Sequence, residues 1–337
     1  MTATTTAPAL RHRGRLTSAL CDAVERLDPA SREQALYHLG LREPDGSPGP
    51  GAGKAVRPAL ALLSAEAAGG AGEEGLPGAV AVELVHNFSL LHDDLMDGDT
   101  RRRHRPTVWA RWGPAAAVLT GDALLALAQE VLLEAPSPHA AAAARLLAAT
   151  VRELVRGQVA DVAFEARRGV TVPECLAMAA GKTGALLATS ATIGAVLVGA
   201  PAPTVAALGT YGAELGVAFQ LVDDLLGIWG DPAVTGKPVL ADLRARKKSL
   251  PVAYALHHGG ATGRELARSL AADGSGDETR LRRLAALVEK GGGRDWAAVE
   301  ARRRVACAER ALAGADLPDV PRAELVALAR HLVERDR

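Results

Sequence analysis

The sequence predicts an all-α protein, and three observations support that reading. The 337 residues hold only 3 Phe, 3 Tyr and 4 Trp, yet hydrophobic residues reach 48%. Ala, Leu and Val therefore carry the apolar mass. Ala and Leu favour helices, whereas strands draw on β-branched and aromatic side chains. Apolar residues recur at helical spacing between short Gly- and Pro-marked breaks, and no period-two alternation persists. No repeat of fixed period is present.

The elements follow in order. Residues 1–15 read as a flexible tail, and 16–337 as one helical domain with antiparallel helices around a deep central cavity. The first helix is expected from Leu16 to Leu41, with Leu20, Val24, Leu27 and Leu36 facing inward. Glu43–Gly53, EPDGSPGPGAG, is a loop by composition. Helices are then predicted at Val56–Ala68, with Pro58 in the first turn, and at Gly78–Met96. Gly98–Pro106 reads as a charged loop. Further helices are expected at Ala115–Leu133, His139–Arg168, Val172–Ala179, Gly184–Val198, Thr204–Ile228 and Leu250–Leu256. More peripheral, charged helices are expected toward the end.

Charge and cysteine content narrow the function. Lys and Arg number 39, matching 39 Asp and Glu. That balance gives no general attraction to nucleic acid or an anionic membrane. The cysteines, Cys21, Cys175 and Cys307, are odd in number and widely spaced. A disulfide framework is not expected, and a reducing cytoplasm fits. Thr183–Ala213 carries no charge and is long enough for a bilayer. Its threonines, glycines, Pro201 and Pro203 instead predict a small-residue core helix, a turn and a further helix, with no membrane span.

Two acidic clusters carry the chemistry. In His92-Asp93-Asp94-Leu95-Met96-Asp97, Asp93 and Asp97 stand at i and i+4 on one helix face. Carboxylates so placed repel unless solvated or bridged by a cation. Oxygen-only ligands suit Mg²⁺, which binds through one or two carboxylates plus substrate phosphates. The second cluster, Asp223-Asp224, lies inside the apolar run Leu215–Ile228, where unpaired charge is costly. Basic residues recur beside both: Arg101, Arg102, Arg103 and Arg105 after the first, and Lys237 and Arg244–Lys248 after the second. Lys54, Arg57 and Lys182 lie farther off in sequence. Carboxylates, Mg²⁺ and guanidinium forks together are what a diphosphate site needs.

These residues resemble a known family. ELVHNFSLLHDDLMDGDTRRRHRPT (83–107) and FQLVDDLLGIWGDPAVTGKPVLADLRARKKSLP (219–251) are similar to the two aspartate-rich regions of the trans-isoprenyl diphosphate synthases, most like geranylgeranyl diphosphate synthases. Gly53-Lys54-Ala55-Val56-Arg57-Pro58, Gly157-Gln158-Val159-Ala160-Asp161 and Lys182-Thr183 match further family motifs in the right order. The resemblance implies Mg²⁺-dependent condensation of isopentenyl diphosphate with an allylic diphosphate primer, three ions acting with bound diphosphate, usually in a homodimer. It implies that Asp93, Asp97 and Asp223 bind metal. It places Arg102, Lys182 and Lys237 on the allylic diphosphate, and Lys54, Arg57, His86 and Arg103 on isopentenyl diphosphate. Thr183 and Gln220 would face the developing allylic cation.

Two positions depart from the pattern. Gly227 replaces the third Asp of the second motif, with Asp231 four residues later, and Ala55 replaces a residue often basic. They leave a class I terpene cyclase or prenyltransferase, or a non-catalytic regulatory subunit, as alternatives. A single Glu-x-x-His, Glu83 to His86, lacks the second copy that a di-iron bundle needs. Chain length is read from the residues before Asp93. Phe88 lies about 7.5 Å along the helix from it. A ring there forms a floor and small Ser89 leaves room, which suggests a C20 product, with C15 next.

Overall fold

A computed structural model describes residues 13–51, 55–167, 169–231, 239–272 and 277–333. Helices dominate it, and the described strands form a single two-stranded ribbon. By contact, the chain forms two compact units. The first takes the described residues of Met1–Val151, Leu186–Gly209 and Leu312–Leu328; the second takes those of Arg152–Ala185, Thr210–Ala311 and Ala329–Arg337.

The first unit opens with α1 (Arg13–Val24) and α2 (Pro29–His38). One continuous helix was expected there. Asp28 breaks it: its carboxylate caps α2 by accepting from Ala30 N and Ser31 N, with Pro29 at the first helical position. Proline has no N–H to lose there and cannot continue α1. Next come α3 (Val56–Ala67) and α4 (Leu76–Met96). The ribbon β1 (Arg101–Arg102) and β2 (Arg105–Pro106) follows where a plain loop was expected. Then come α5 (Val108–Trp112), α6 (Pro114–Leu133) and α7 (Ala140–Glu165), whose second half belongs to the second unit. Helix α4 packs on α3 and α6, and every residue from Gly78 to Val85 is buried.

The second unit continues through α8 (Val172–Ala179) into a π-helical turn, Ala180–Gly184. Two short helices of the first unit, α9 (Ala185–Ser190) and α10 (Ile193–Leu197), precede α11 (Ala202–Trp229), which re-enters the second unit at Thr210. No single helix spans Thr183–Ala213, and the expected helix Gly184–Val198 is broken at 191–192. Helices α6 and α11 are both long and apolar enough to cross a membrane by length and composition. The remaining helices of this unit are α12 (Ala241–Arg244), α13 (Leu250–His258), α14 (Gly260–Ala271), α15 (Glu278–Lys290) and α16 (Gly293–Ala313), while α17 (Asp319–Val333) falls mostly in the first unit. One core of the second unit joins Phe164, Cys175, Leu221, Val222 and Leu250; another joins Ile228, Leu240, Leu243 and Val252. The three cysteines are unpaired, as expected.

Glycines set how closely the second unit packs. A Cβ on Gly157 of α7 would lie 2.2 Å from Lys182 N, and one on Gly216 of α11 would lie 2.4 Å from Gly184 Cα. The π turn is therefore seated backbone-to-backbone against both helices. Each glycine stands four residues before a polar partner of that turn, Asp161 and Gln220. Glycine to alanine in a helix normally adds stability. Gly157→Ala is expected to do the reverse, lowering stability by about 1–3 kcal/mol through overpacking. Gly169→Ala, with open space around it, is expected to stay within about 0.5 kcal/mol. Urea unfolding of both variants checks the contrast.

Candidate active site

The first unit carries one set of the predicted residues. Asp93 and Asp97 occupy the last turn of α4, Asp93 half-buried and Asp97 exposed at the C-cap. Acids at this end face the negative pole of the helix dipole, an arrangement that favours a bound cation. Asp94 points inward, 1% exposed, and burial raises its pKa. Arg102 Nε and Nη2 lie 2.8 and 2.7 Å from Asp94 Oδ1. Arg102 was expected on a diphosphate; it is engaged with this second Asp of the motif.

The four arginines after this cluster divide by task. Arg101 donates to His104 O. Arg105 donates to Tyr37 O, lies 4.0 Å over the Tyr37 ring and pairs with Glu43. It ties the ribbon to α2. Arg103 makes no hydrogen bond or ion pair with a described residue. It stands at the ribbon tip, where Arg103 (φ 51) and His104 (φ 64) both adopt left-handed backbone. Two-residue hairpins of this kind normally use Asn-Gly. Non-glycine residues held there are strained, and such strain gathers at functional sites.

Upstream on α4, His86 Nε2 accepts from Arg57 of α3 at 3.3 Å. Burial, then Arg57 and Arg103, push the His86 pKa well below its usual value, so the ring is neutral and accepts. Glu83 is buried, with its pKa raised by burial, and accepts from Asn87 Nδ2 at 3.1 Å. Arg57 and Arg103 both act on His86, the residue that the sequence groups with them and with Lys54. His38 joins them, its pKa lowered to about 3 by burial and by Arg102, Arg103 and Arg105. Phe88 is 6% exposed and packs edge-on to His92 at 4.8 Å, while Ser89 is half-buried and donates to His86 O. Lys54 lies outside the described residues.

The second unit carries the other set. The π turn presents Lys182 to Asp161, Nζ to Oδ2 at 2.7 Å, and Thr183 to Gln220. Thr183 Oγ1 donates to Gln220 Oε1 at 2.7 Å, Gln220 Nε2 donates to Asp224 Oδ1 at 2.8 Å, and Leu250 N donates to Asp224 Oδ2 at 2.8 Å. The Gln220 amide thus turns its nitrogen to Asp224 and its oxygen to Thr183. Asp223, one residue earlier, is exposed. Burial, then the charge of Asp242, pushes the Asp224 pKa up to about 7, against the lowering effect of its two donors. Asp231 is exposed just beyond α11. Lys237 lies outside the described residues.

Sequence reasoning assigned no role to Asp94, Asp161, Asp224 or Asp242. Asp161 was visible as the last residue of the GQxxD motif; Asp224 was visible only as the inner half of a doublet. No group of three or more His, Cys, Asp or Glu able to hold a metal occurs among the described residues. Mg²⁺ keeps several waters and shares substrate phosphates, so it needs only one or two protein carboxylates. Asp94 Oδ2, buried with no hydrogen-bond partner, adds unsatisfied acceptor capacity beside Asp93 and Asp97. The donor set fits the ion.

A polyprenyl synthetase family model matches residues 50–288, and the chain belongs to that family. It is 54% identical over 325 residues to a (2E,6E)-farnesyl diphosphate synthase of Mycobacterium tuberculosis, covering 95% of this chain and 90% of that one. It is 44% identical over 317 residues to a geranylgeranyl diphosphate synthase of the same organism, covering 93% and 89%. Among solved structures, a polyprenyl synthetase from Streptomyces coelicolor A3(2) matches with a TM-score of 0.93 at 53% identity, covering 98% of this chain and 99% of that one. The expected family and all-α fold are both shown.

Asp224→Asn tests the amide-orienting chain. Loss of one fixed orientation is expected to lower kcat about 10–100-fold, with KM values changed less than about threefold. The folded-state pKa of Asp224 lies above its ordinary 3.8. Its ionisation therefore weakens the metal-free fold progressively from about pH 4 to about pH 7. The Asn variant is expected to gain on wild type across that window, read by urea unfolding without divalent metal.

Proposed function

We propose that the chain condenses isopentenyl diphosphate with an allylic diphosphate and releases an all-trans product of C20, with C15 as its intermediate. The observation that carries this reading is the chain Thr183–Gln220–Asp224, beside the Lys182–Asp161 pair. Thr183 gives its proton to Gln220, so the lone pairs of Thr183 Oγ1 remain for a developing cation. Lys182, the preceding residue, would supply positive charge for a departing diphosphate. Fixed dipoles of this kind stabilise separated charge without reorganising.

In the first unit, Arg57 and Arg103 would bind the diphosphate of isopentenyl diphosphate, with neutral His86 held by Arg57. Asp93, Asp97 and Asp223 would hold Mg²⁺, which when bound neutralises and clamps the allylic diphosphate. Lys54 and Lys237 belong to the same reading on sequence alone. So do a homodimer and a cytoplasmic location; exposed Leu119 and Leu133 of α6 are apolar residues that such pairing would cover.

The C15 product is the second reading, favoured by the 54% identity to a farnesyl diphosphate synthase. The small Ser89, on the Asp93 side of α4, favours C20. Mass spectrometry of products from Mg²⁺, isopentenyl diphosphate and C5, C10 or C15 primers separates them. The expected result is consumption of all three primers and a C20 end product. Termination at C15 would select the second reading, and no consumption of isopentenyl diphosphate with any primer would reject the function. Phe88→Ala is expected to lengthen the product in the same assay; an unchanged product removes Phe88 as the floor.

A further inference from the structure

A cavity opens in the first unit at the opposite end of α4 from Asp93. It measures about 690 Å³, a volume within the range of small-molecule sites. Its wall is apolar, built from Ala19 and Ala23 of α1, Pro77 and Val80 of α4, Val131 of α6 and Leu197 of α10. Val80 stands thirteen residues before Asp93. That spacing is about 20 Å along a helix. The cavity is thus remote from the acidic motif that the proposed function uses.

The mouth of the cavity is acidic. Asp22, Glu73, Glu74 and Glu134 line it, against Arg26 and His139. Arg26 is already engaged. It donates to both carboxylate oxygens of Glu134, at 2.8 and 3.0 Å, and also pairs with Glu130. Glu73 pairs with Arg15, and Glu74 accepts from Ala71 N at 2.7 Å. Asp22 is exposed and makes no hydrogen bond or ion pair with a described residue. Helix ends add to the sign of the mouth. The long helix α6 ends at Leu133 and α1 at Val24, so both bring their negative poles to the cavity, against the one positive pole of α4.

We propose that this cavity binds a cationic amphiphile: an apolar chain seated between α1, α4 and α6, with an ammonium group at Asp22 among the acids of the mouth. Burial of the chain supplies affinity, and the charge of the mouth supplies selectivity. A prenyl diphosphate carries the wrong sign for this mouth, so the cavity is no second place for substrate or product.

Three probes share one chain and differ in the head group: dodecylamine, dodecanol and dodecyl phosphate. Each is titrated into the full chain below micelle formation and followed by calorimetry. Dodecylamine is expected to bind at least about tenfold more tightly than dodecanol, and dodecyl phosphate more weakly than either. The preference for the amine is expected to shrink as salt rises from about 0.05 to about 0.5 M. Asp22→Lys, an exposed change, is expected to weaken dodecylamine about fivefold or more and dodecanol by less than about twofold. Ala19→Trp puts a ring into the half-buried wall. It is expected to abolish saturable binding of amine and alcohol alike, with prenyl transfer kept within about threefold. Mg²⁺ plus inorganic pyrophosphate is expected to leave the affinity for dodecylamine within about threefold, because the diphosphate site lies elsewhere.

Absence of saturable dodecylamine binding would overturn the proposal. Equal affinity for dodecyl phosphate and dodecylamine would do so too, since the mouth would then not read charge. Unchanged amine binding in Ala19→Trp would place the amine elsewhere, and loss of amine binding on adding pyrophosphate would place it in the diphosphate site; either result overturns the proposal. Should Ala19→Trp not fold, Ala135→Trp, in the loop after α6, narrows the same cavity and carries the same expectation. A chain without prenyl transfer rejects the proposed function and leaves this second site standing.

Discussion

The second unit depends on backbone reaching backbone at the π turn. Gly157 and Gly216 leave no room for a Cβ against Lys182 N and Gly184 Cα. This contact fixes the turn in rotation as well as position, because neither neighbour is a side chain that can swing aside. Asp161 and Gln220 each lie one helical turn after a glycine, so the same approach that seats the turn brings in its polar partners. The π geometry itself, with one residue more per turn than an α-helix, lets the consecutive Lys182 and Thr183 serve different partners. Such bulges recur at functional sites for this reason.

Electrostatics in the free protein are unfavourable at both acidic motifs, and in different ways. Asp93 and Asp97 crowd the negative end of α4, in water. Asp224 is buried, and its raised pKa shows that two donated hydrogen bonds do not offset desolvation and the charge of Asp242. Cations relieve both conditions. On the proposed function, a metal-bound diphosphate would supply that relief. The strained ribbon tip at Arg103 and His104 follows the same logic with opposite sign.

Most of the helices were legible because their signals are local. Composition, Gly and Pro punctuation and helical spacing placed α3, α4, α6, α8 and α13 closely. The break at Asp28 was also local, an Asp-Pro cap, and was missed because apolar spacing continued on either side. The π turn was not legible, since its seat is made by Gly157 and Gly216, far apart in sequence; nothing local marked the interruption at 191–192. The site divides similarly. Asp93, Asp97, Lys182, Thr183 and Gln220 stood out by motif. The pairings of Arg102 with Asp94 and of Lys182 with Asp161 did not, because motif residues were matched to ligands and not to one another. Gly227 stood out as a departure, while Asp242, whose carboxylate lies where its side chain would begin, did not.

The most direct test of the clamped π turn is native-state hydrogen exchange of the Lys182–Ala185 amides. If glycine contacts on both sides hold the turn, these amides open only with the second unit as a whole, at the free energy of the Leu215–Val222 core of α11. Exchange through local fluctuations, orders of magnitude faster than that core, would contradict the account.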